Sequence, residues 1–195
     1  MIEVKGTETR SFYFPASKPV AFSFYNSLPR IIPFLPRIFL VDTADEQHHR
    51  VVYRSVELNA YHVEIYCDLQ VNPDEKNNVL YIQGYDGHQH YAPVKTKVGL
   101  TQVIGTGDFT ITSRFYEAGE RTKIDYSLTL YSQIHRPFGL NFMPTAVLSN
   151  IVRRIVNYRI KEIVDHFVVA SAEAYPQWAE ANHTTSPTSP SPFVP

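Results

Sequence analysis

Thiols are nearly missing from this chain: Cys67 is its one cysteine. An internal disulfide is therefore excluded, a reducing compartment fits, and a lone thiol in an apolar row is expected to be core. An excess of one charge is missing too. The 18 lysines and arginines stand against 19 acids, a net charge of -1, and the signs are interspersed, so no nucleic-acid partner is expected. No run approaches the ~20 apolar residues of a spanning helix, and "MIEVKGTETRSFYF" has no basic stretch leading into an apolar one. Neither a transmembrane segment nor a secretory leader is expected, which points to a cytoplasmic protein. The Asn-His-Thr at 182–184 then has no route to glycosylation. Internal repeats are absent as well.

The 195 residues suit one domain, expected over 1–180, with a core large enough to stand without staples. Residues 181–195, ending in "HTTSPTSPSPFVP", offer no face to bury and are expected to be a disordered Ser/Thr/Pro-rich tail.

What the chain does have is alternation. In "YHVEIYCDLQV" (61–71) Tyr61, Val63, Ile65, Cys67, Leu69 and Val71 share one face of a strand. "GDFTITSRF" (107–115) places Phe109, Ile111, Ser113 and Phe115 together, and "KIDYSLTL" (123–130) does so for Ile124, Tyr126, Leu128 and Leu130. "EAGE" joins these two runs as a hairpin. Weaker strand patterns occupy 7–14, 38–43, 50–58 and 79–85, seven strands in all.

Helical periodicity appears twice. "SKPVAFSFYNSL" opens on Ser17 as N-cap with Pro19 in the first turn. From Pro144 to about Ala174, Leu148, Val152, Val156, Ile160, Ile163 and Phe167 step by threes and fours along one stripe. Between the first helix and the second strand lies "NSLPRIIPFLPRIF" (26–39), in which three prolines forbid one long helix or a central strand. A short broken helix is expected there, aiming Phe34 and Leu35 at the mouth of an interior space or plugging one end of it.

Seven strands at ~4.8 Å spacing span ~34 Å, three times the ~10–12 Å width of a helix. The sheet must curl around the terminal helix, and whatever the helix leaves uncovered is a hollow, by default a ligand site. The order of elements, the "LPRIIPFLPRI" after the first helix and the long terminal helix resemble the START-like, or helix-grip, superfamily of lipid binders, polyketide cyclases and coenzyme-Q-binding proteins. "SAEAYPQW" (171–178) is similar to an uncharacterised branch from oxygenic photosynthetic bacteria and plastids. The resemblance implies an α+β helix-grip fold: a curved seven-stranded antiparallel sheet around a long C-terminal helix, with short helices after the first strand. The stretch 86–107 is longer than such neighbours need.

The chemistry search is mostly negative. His88 and His90 form an H-x-H and His48 and His49 are adjacent, but both pairs fall in expected loops without a third ligand, so no metal is expected. "VIGTGDF" has Thr110 where a dinucleotide fingerprint needs glycine, and a strand follows instead of a helix. No G-x-S-x-G or P-loop occurs, and Cys67 has no base, so no cofactor and no catalytic residue are expected. Arg159 and His166 lie near the apolar stripe of the long helix, where either could orient the polar end of an apolar ligand, or snorkel and bond a core partner. Tyr126 and Ser113 could help. The basic face of "RRIVNYRIKE" leaves room for a transient membrane contact.

The expected function is binding, carriage or presentation of a small apolar or amphipathic molecule such as a lipid, isoprenoid or pigment. Its expected wall is Phe34, Leu35, Val63, Ile65, Phe109, Ile111, Ser113, Tyr126, Leu128, Val152, Arg159, Ile163 and His166. A cyclase or hydrolase using the same hollow, and a cavity-poor assembly factor, are the alternatives.

Overall fold

The computed structural model describes residues 2–134, 136 and 138–183. Residues 184–195, the bulk of the expected tail, lie outside the described residues. The chain runs β1 (Ile2–Phe14), α1 (Lys18–Tyr25), α2 (Leu28–Ile31) continuing into a 3-10 turn (Ile32–Phe34), β2 (Ile38–Thr43), β3 (His48–Glu57), β4 (Tyr61–Asp74), β5 (Val79–Gly84), β6 (Lys97–Val98), β7 (Gln102–Ala118), β8 (Arg121–Ile134) and α3 (Thr145–His183). The sheet order is β1-β8-β7-β5-β4-β3-β2, with the two-residue β6 added on β7. This is the α+β architecture expected, an antiparallel sheet around a long C-terminal helix.

Local chemistry accounts for the joints. The β7–β8 hairpin closes between Ala118 and Arg121, with Gly119 at φ +68°, a backbone state open to glycine at little cost. α1 starts after Ser17 with proline in its first turn, as expected. Alternation on β4, β7 and β8 holds: Ile65, Cys67, Leu69, Phe109, Ile111, Ser113, Ile124, Tyr126 and Leu128 are buried while His62 is exposed.

The sheet departs from expectation in strand count and in one pairing. There are eight strands among the described residues, and β4 and β7 pair in parallel from His62↔Gln102 to Tyr66↔Thr106. The cause is the short β5. It separates β4 from β7 only at the other end, where Asn72, Tyr81 and Thr112 lie in line. At Gly84 the chain leaves the sheet and returns only at β6, on β7, so the two former neighbours of β5 close the gap. The long 86–107 stretch holds this excursion, β6 and the start of β7.

α3 also outruns the expected end near Ala174, continuing through Pro176 to His183. A proline inside a helix removes a backbone bond and costs ~3 kcal/mol. Packing of its neighbours offsets this: Tyr175 lies 4.9 Å from Phe14, and Trp178 lies 5.3 Å from Phe24 with the Arg30 guanidinium 5.0 Å from its ring.

The core is consequently of two kinds along α3. Its C-terminal half meets an aromatic block in which Phe14, Phe24 and Tyr25 touch at ring distances of 5.1–5.2 Å and Tyr126 stacks on Phe167 at 4.8 Å. The proline-rich segment belongs here, burying Leu28, Ile31, Ile32 and Leu35. Nearer the middle, α3 rides close on β1 at Gly6, where a Cβ would meet Ile160 Cδ1 at 2.5 Å. Beyond that, toward its N-terminus, α3 presents aliphatic side chains and Arg159 to the sheet, and Ile151, Val152, Ile155 and Val156 remain partly exposed.

Candidate functional site: an aliphatic hollow under the N-terminal half of the long helix

Partial exposure of four apolar residues on a core-facing stripe means that the sheet does not reach them. Between this half of α3 and the inner face of the sheet lies a hollow of about 140 Å³. Of the residues expected to form its wall, Val63, Ile65, Phe109, Leu128, Val152, Arg159 and Ile163 line it. Phe34, Leu35, Ile111, Ser113, Tyr126 and His166 do not. Ile111, Ser113, Tyr126 and Leu35 are buried at the aromatic end, and Phe34 stacks near Phe24 at 6.2 Å. His166 is exposed, and its Nδ1 bonds the Phe34 carbonyl at 3.1 Å, pinning the proline-rich elbow from outside.

Sequence reasoning missed the polar side of the hollow, which β3 supplies. Val51, Tyr53, Ser55 and Glu57 alternate inward along it and all line the cavity. Arg159 reaches across from α3 to Glu57 at 2.9 Å and to Glu162 at 2.8 Å, and Glu162 is also met by Arg37 at 3.3 Å. Burial would raise the Glu57 carboxyl, but Arg159, with the nearby Ser55 and Tyr53 hydroxyls, outweighs it and holds the group below its ordinary value; Glu162 behaves likewise between Arg37 and Arg159. Arg159 is raised by the same contacts. Tyr53, which donates to Glu57 at 3.3 Å, is pushed up to about 12 chiefly by burial. Two carboxylates are thus paired with two guanidinium groups beside a phenol, a set able to orient a dipole.

Ser55 is different. Its hydroxyl is buried in the wall beside Tyr53 and Glu57, yet it makes no hydrogen bond of proper geometry. A buried hydroxyl left unpaired is costly, and a ligand group reaching it would relieve that cost. The mouth is completed by Leu58, which takes φ 51°, uncommon for leucine, and stays 55% exposed in the β3–β4 turn. Cys67 lines the hollow as a buried thiol pushed up to about 12 by burial, a packing residue without nucleophilic character.

A second hollow, about 560 Å³, lies on the outer face beneath the excursion, among Arg50, Asp68, Tyr85, Asp108 and Tyr131. It is larger but polar and charged. Only the inner one is lined as an apolar ligand requires. The histidine pairs of the sequence are recombined in this outer region: one member of each pair, His48 and His90, comes together with Asp45.

No protein-family model and no curated protein sequence matches the chain. Solved structures do. The Zhui aromatase/cyclase of Streptomyces sp. R1128 superposes with a TM-score of 0.50 at 13% identity, over 94% of this chain and 98% of its own. Human STARD10 gives 0.50 at 11% identity, over 91% and 67%, and a conserved protein from Geobacillus kaustophilus 0.50 at 9%, over 88% and 96%. At these identities the likeness is one of fold, and it sets the chain among proteins of the helix-grip, START-like architecture. Among the described residues no helix is long and apolar enough to cross a membrane.

Proposed function

We propose that this protein binds and carries a small apolar or amphipathic molecule in the aliphatic hollow, with the polar end of that molecule at Ser55 and the Glu57–Arg159 pair. One observation carries the reading: a hollow of about 140 Å³ between the long helix and the sheet, walled chiefly by apolar side chains. A dry apolar cavity of ~150 Å³ accommodates a benzene-sized molecule, whereas drug-sized ligands use ~300–1,000 Å³. A ring or a chain end is thus enclosed, and the remainder of a lipid, isoprenoid or pigment leaves through the mouth beside Leu58. The resemblance of "SAEAYPQW" to a branch of oxygenic photosynthetic bacteria and plastids favours isoprenoids and pigments within that class. The proposed role is that of a cytoplasmic binder without catalysis, with the polar end of its ligand met by a paired carboxylate and guanidinium.

The test is native mass spectrometry of the protein purified gently from its own host, followed by titration of the stripped protein with benzene and a naphthalene-based fluorescent probe. A near-stoichiometric apolar passenger and saturable probe uptake are expected. A protein that copurifies with nothing and takes up neither probe refutes the reading.

A further inference from the structure

The excursion between β5 and β6 is fastened to the sheet at several points. The Tyr91 hydroxyl donates to the His48 carbonyl at 2.9 Å and accepts from Ala44 N at 3.2 Å. Arg50 lies 4.7 Å from the Tyr91 ring, pairs with Asp68 at 2.6 Å and donates to the Ala92 carbonyl at 2.7 Å. Gly87 sits so close over Asp68 that a Cβ would fall 2.1 Å from its Oδ2. These contacts hold the backbone of the excursion against the start of β3, and they set the His90 ring 4.8 Å from the His48 ring.

Asp45, in the turn before β3, completes the group. Both its carboxylate oxygens lie 2.9 Å from His48 Nδ1, and one donor atom from each of Asp45, His48 and His90 lies within 4.8 Å of the others. Tyr85 meets His90 Nδ1 at 3.1 Å; with that nitrogen donating to the phenol oxygen, Nε2 keeps its lone pair outward. Neighbouring histidines are otherwise engaged: His49 is buried against Thr43 and the Glu46 carbonyl, and His88 leans toward Asp86.

We propose that Asp45, His48 and His90 bind a divalent transition-metal ion of the zinc type, clipping the excursion to the β2–β3 turn. Two imidazoles and a carboxylate suit a borderline-soft ion, with water in the fourth position. At bond lengths of ~2.0–2.1 Å tetrahedral donors stand roughly 3.4 Å apart, so rotations of about an ångström close the set. All three side chains reach solvent, leaving them free to make those rotations. The site is independent of the inner hollow and adds a metal to a protein whose histidine pairs, as a linear sequence, lack a third ligand.

The experiment is calorimetric titration of the metal-stripped full chain with zinc chloride alone. One equivalent is expected to bind and to raise the melting temperature through preferential binding to the folded state. His48→Ala and His90→Ala should each weaken binding at least about tenfold, whereas His88→Ala, also at an exposed position, should leave it unchanged. Equal affinity in all three variants, or loss in His88→Ala alone, overturns the proposal. If either alanine variant folds poorly, histidine ring resonances of the unaltered protein decide: zinc must shift His48 and His90 first, and a first shift at His62 or His88 overturns it.

Discussion

Replacing Val63 by phenylalanine separates a true void from a loosely described core. Val63 faces the hollow from β4, a strand position that suits an aromatic side chain. At ~24 cal/mol per Å³ of cavity, the hollow of about 140 Å³ costs the fold roughly 3 kcal/mol. A ring that occupies about a third of it should return roughly 1 kcal/mol, a rise of about 2–4 °C in melting temperature for a protein of this size. The same change at Ile111, buried in the filled aromatic end, has no void to enter and should cost about 1–3 kcal/mol. Urea melts give the two stabilities, and titration with benzene gives the remaining capacity. Val63→Phe should gain stability and lose benzene uptake together. A destabilised Val63→Phe that still takes up benzene would refute the reasoning, because the site would then be packed and the ligand elsewhere.

Ser55→Ala removes a buried hydroxyl that lacks a hydrogen bond of proper geometry, so it should hold or raise the melting temperature while weakening a phenol-headed probe several-fold, the loss of one hydrogen bond; equal phenol affinity in both proteins would exclude Ser55 as the polar contact. Phe34→Ser with Leu35→Ser should destabilise by at least ~2–5 kcal/mol, because Leu35 is 1% exposed in the aromatic block; a stable double mutant with impaired probe uptake would instead make this segment a gate. The depressed Glu57 and Glu162 carboxyls contribute stability that is complete above the unfolded value of about 4.3 and is lost as pH falls through their lower folded values. Melting temperature should thus drop as pH falls below about 4.3, with a smaller drop in Glu57→Gln, and a melt insensitive to acidification would count against the network.

Much of the architecture was legible because its signals are local. Alternation on β4, β7 and β8 and the stripe on α3 each need only one face to be apolar, and seven of the thirteen wall residues follow from that. Ile111, Ser113 and Tyr126 fail because alternation reports which side is inward and says nothing about where the interior is empty; Phe34 and Leu35 sit in the proline-rich elbow at the aromatic end, and His166 points outward beside the stripe. β3 was obscured because Val52 and Val56 put apolar residues on its outward side, which hid the inward row ending in Ser55 and Glu57. The parallel β4–β7 pairing depends on how far β5 runs before Gly84, a tertiary outcome. Likewise, Pro176 marks a helix end until Tyr175 and Trp178 find the aromatic block.

The division of α3 into a bolted half and a lightly covered half makes it a lever. From Ile163, the last residue in the wall of the hollow, to Thr145 is 18 residues, or ~27 Å of helix at 1.5 Å each. A bend of about 10° at Ile163, as distinct from a rigid tilt, would displace the far tip by roughly 5 Å, about one helical turn, and would part Leu148 from Ile2, Val4 and Leu140. The room inside the hollow would then follow an angle, and the volume of about 140 Å³ belongs to one setting of it.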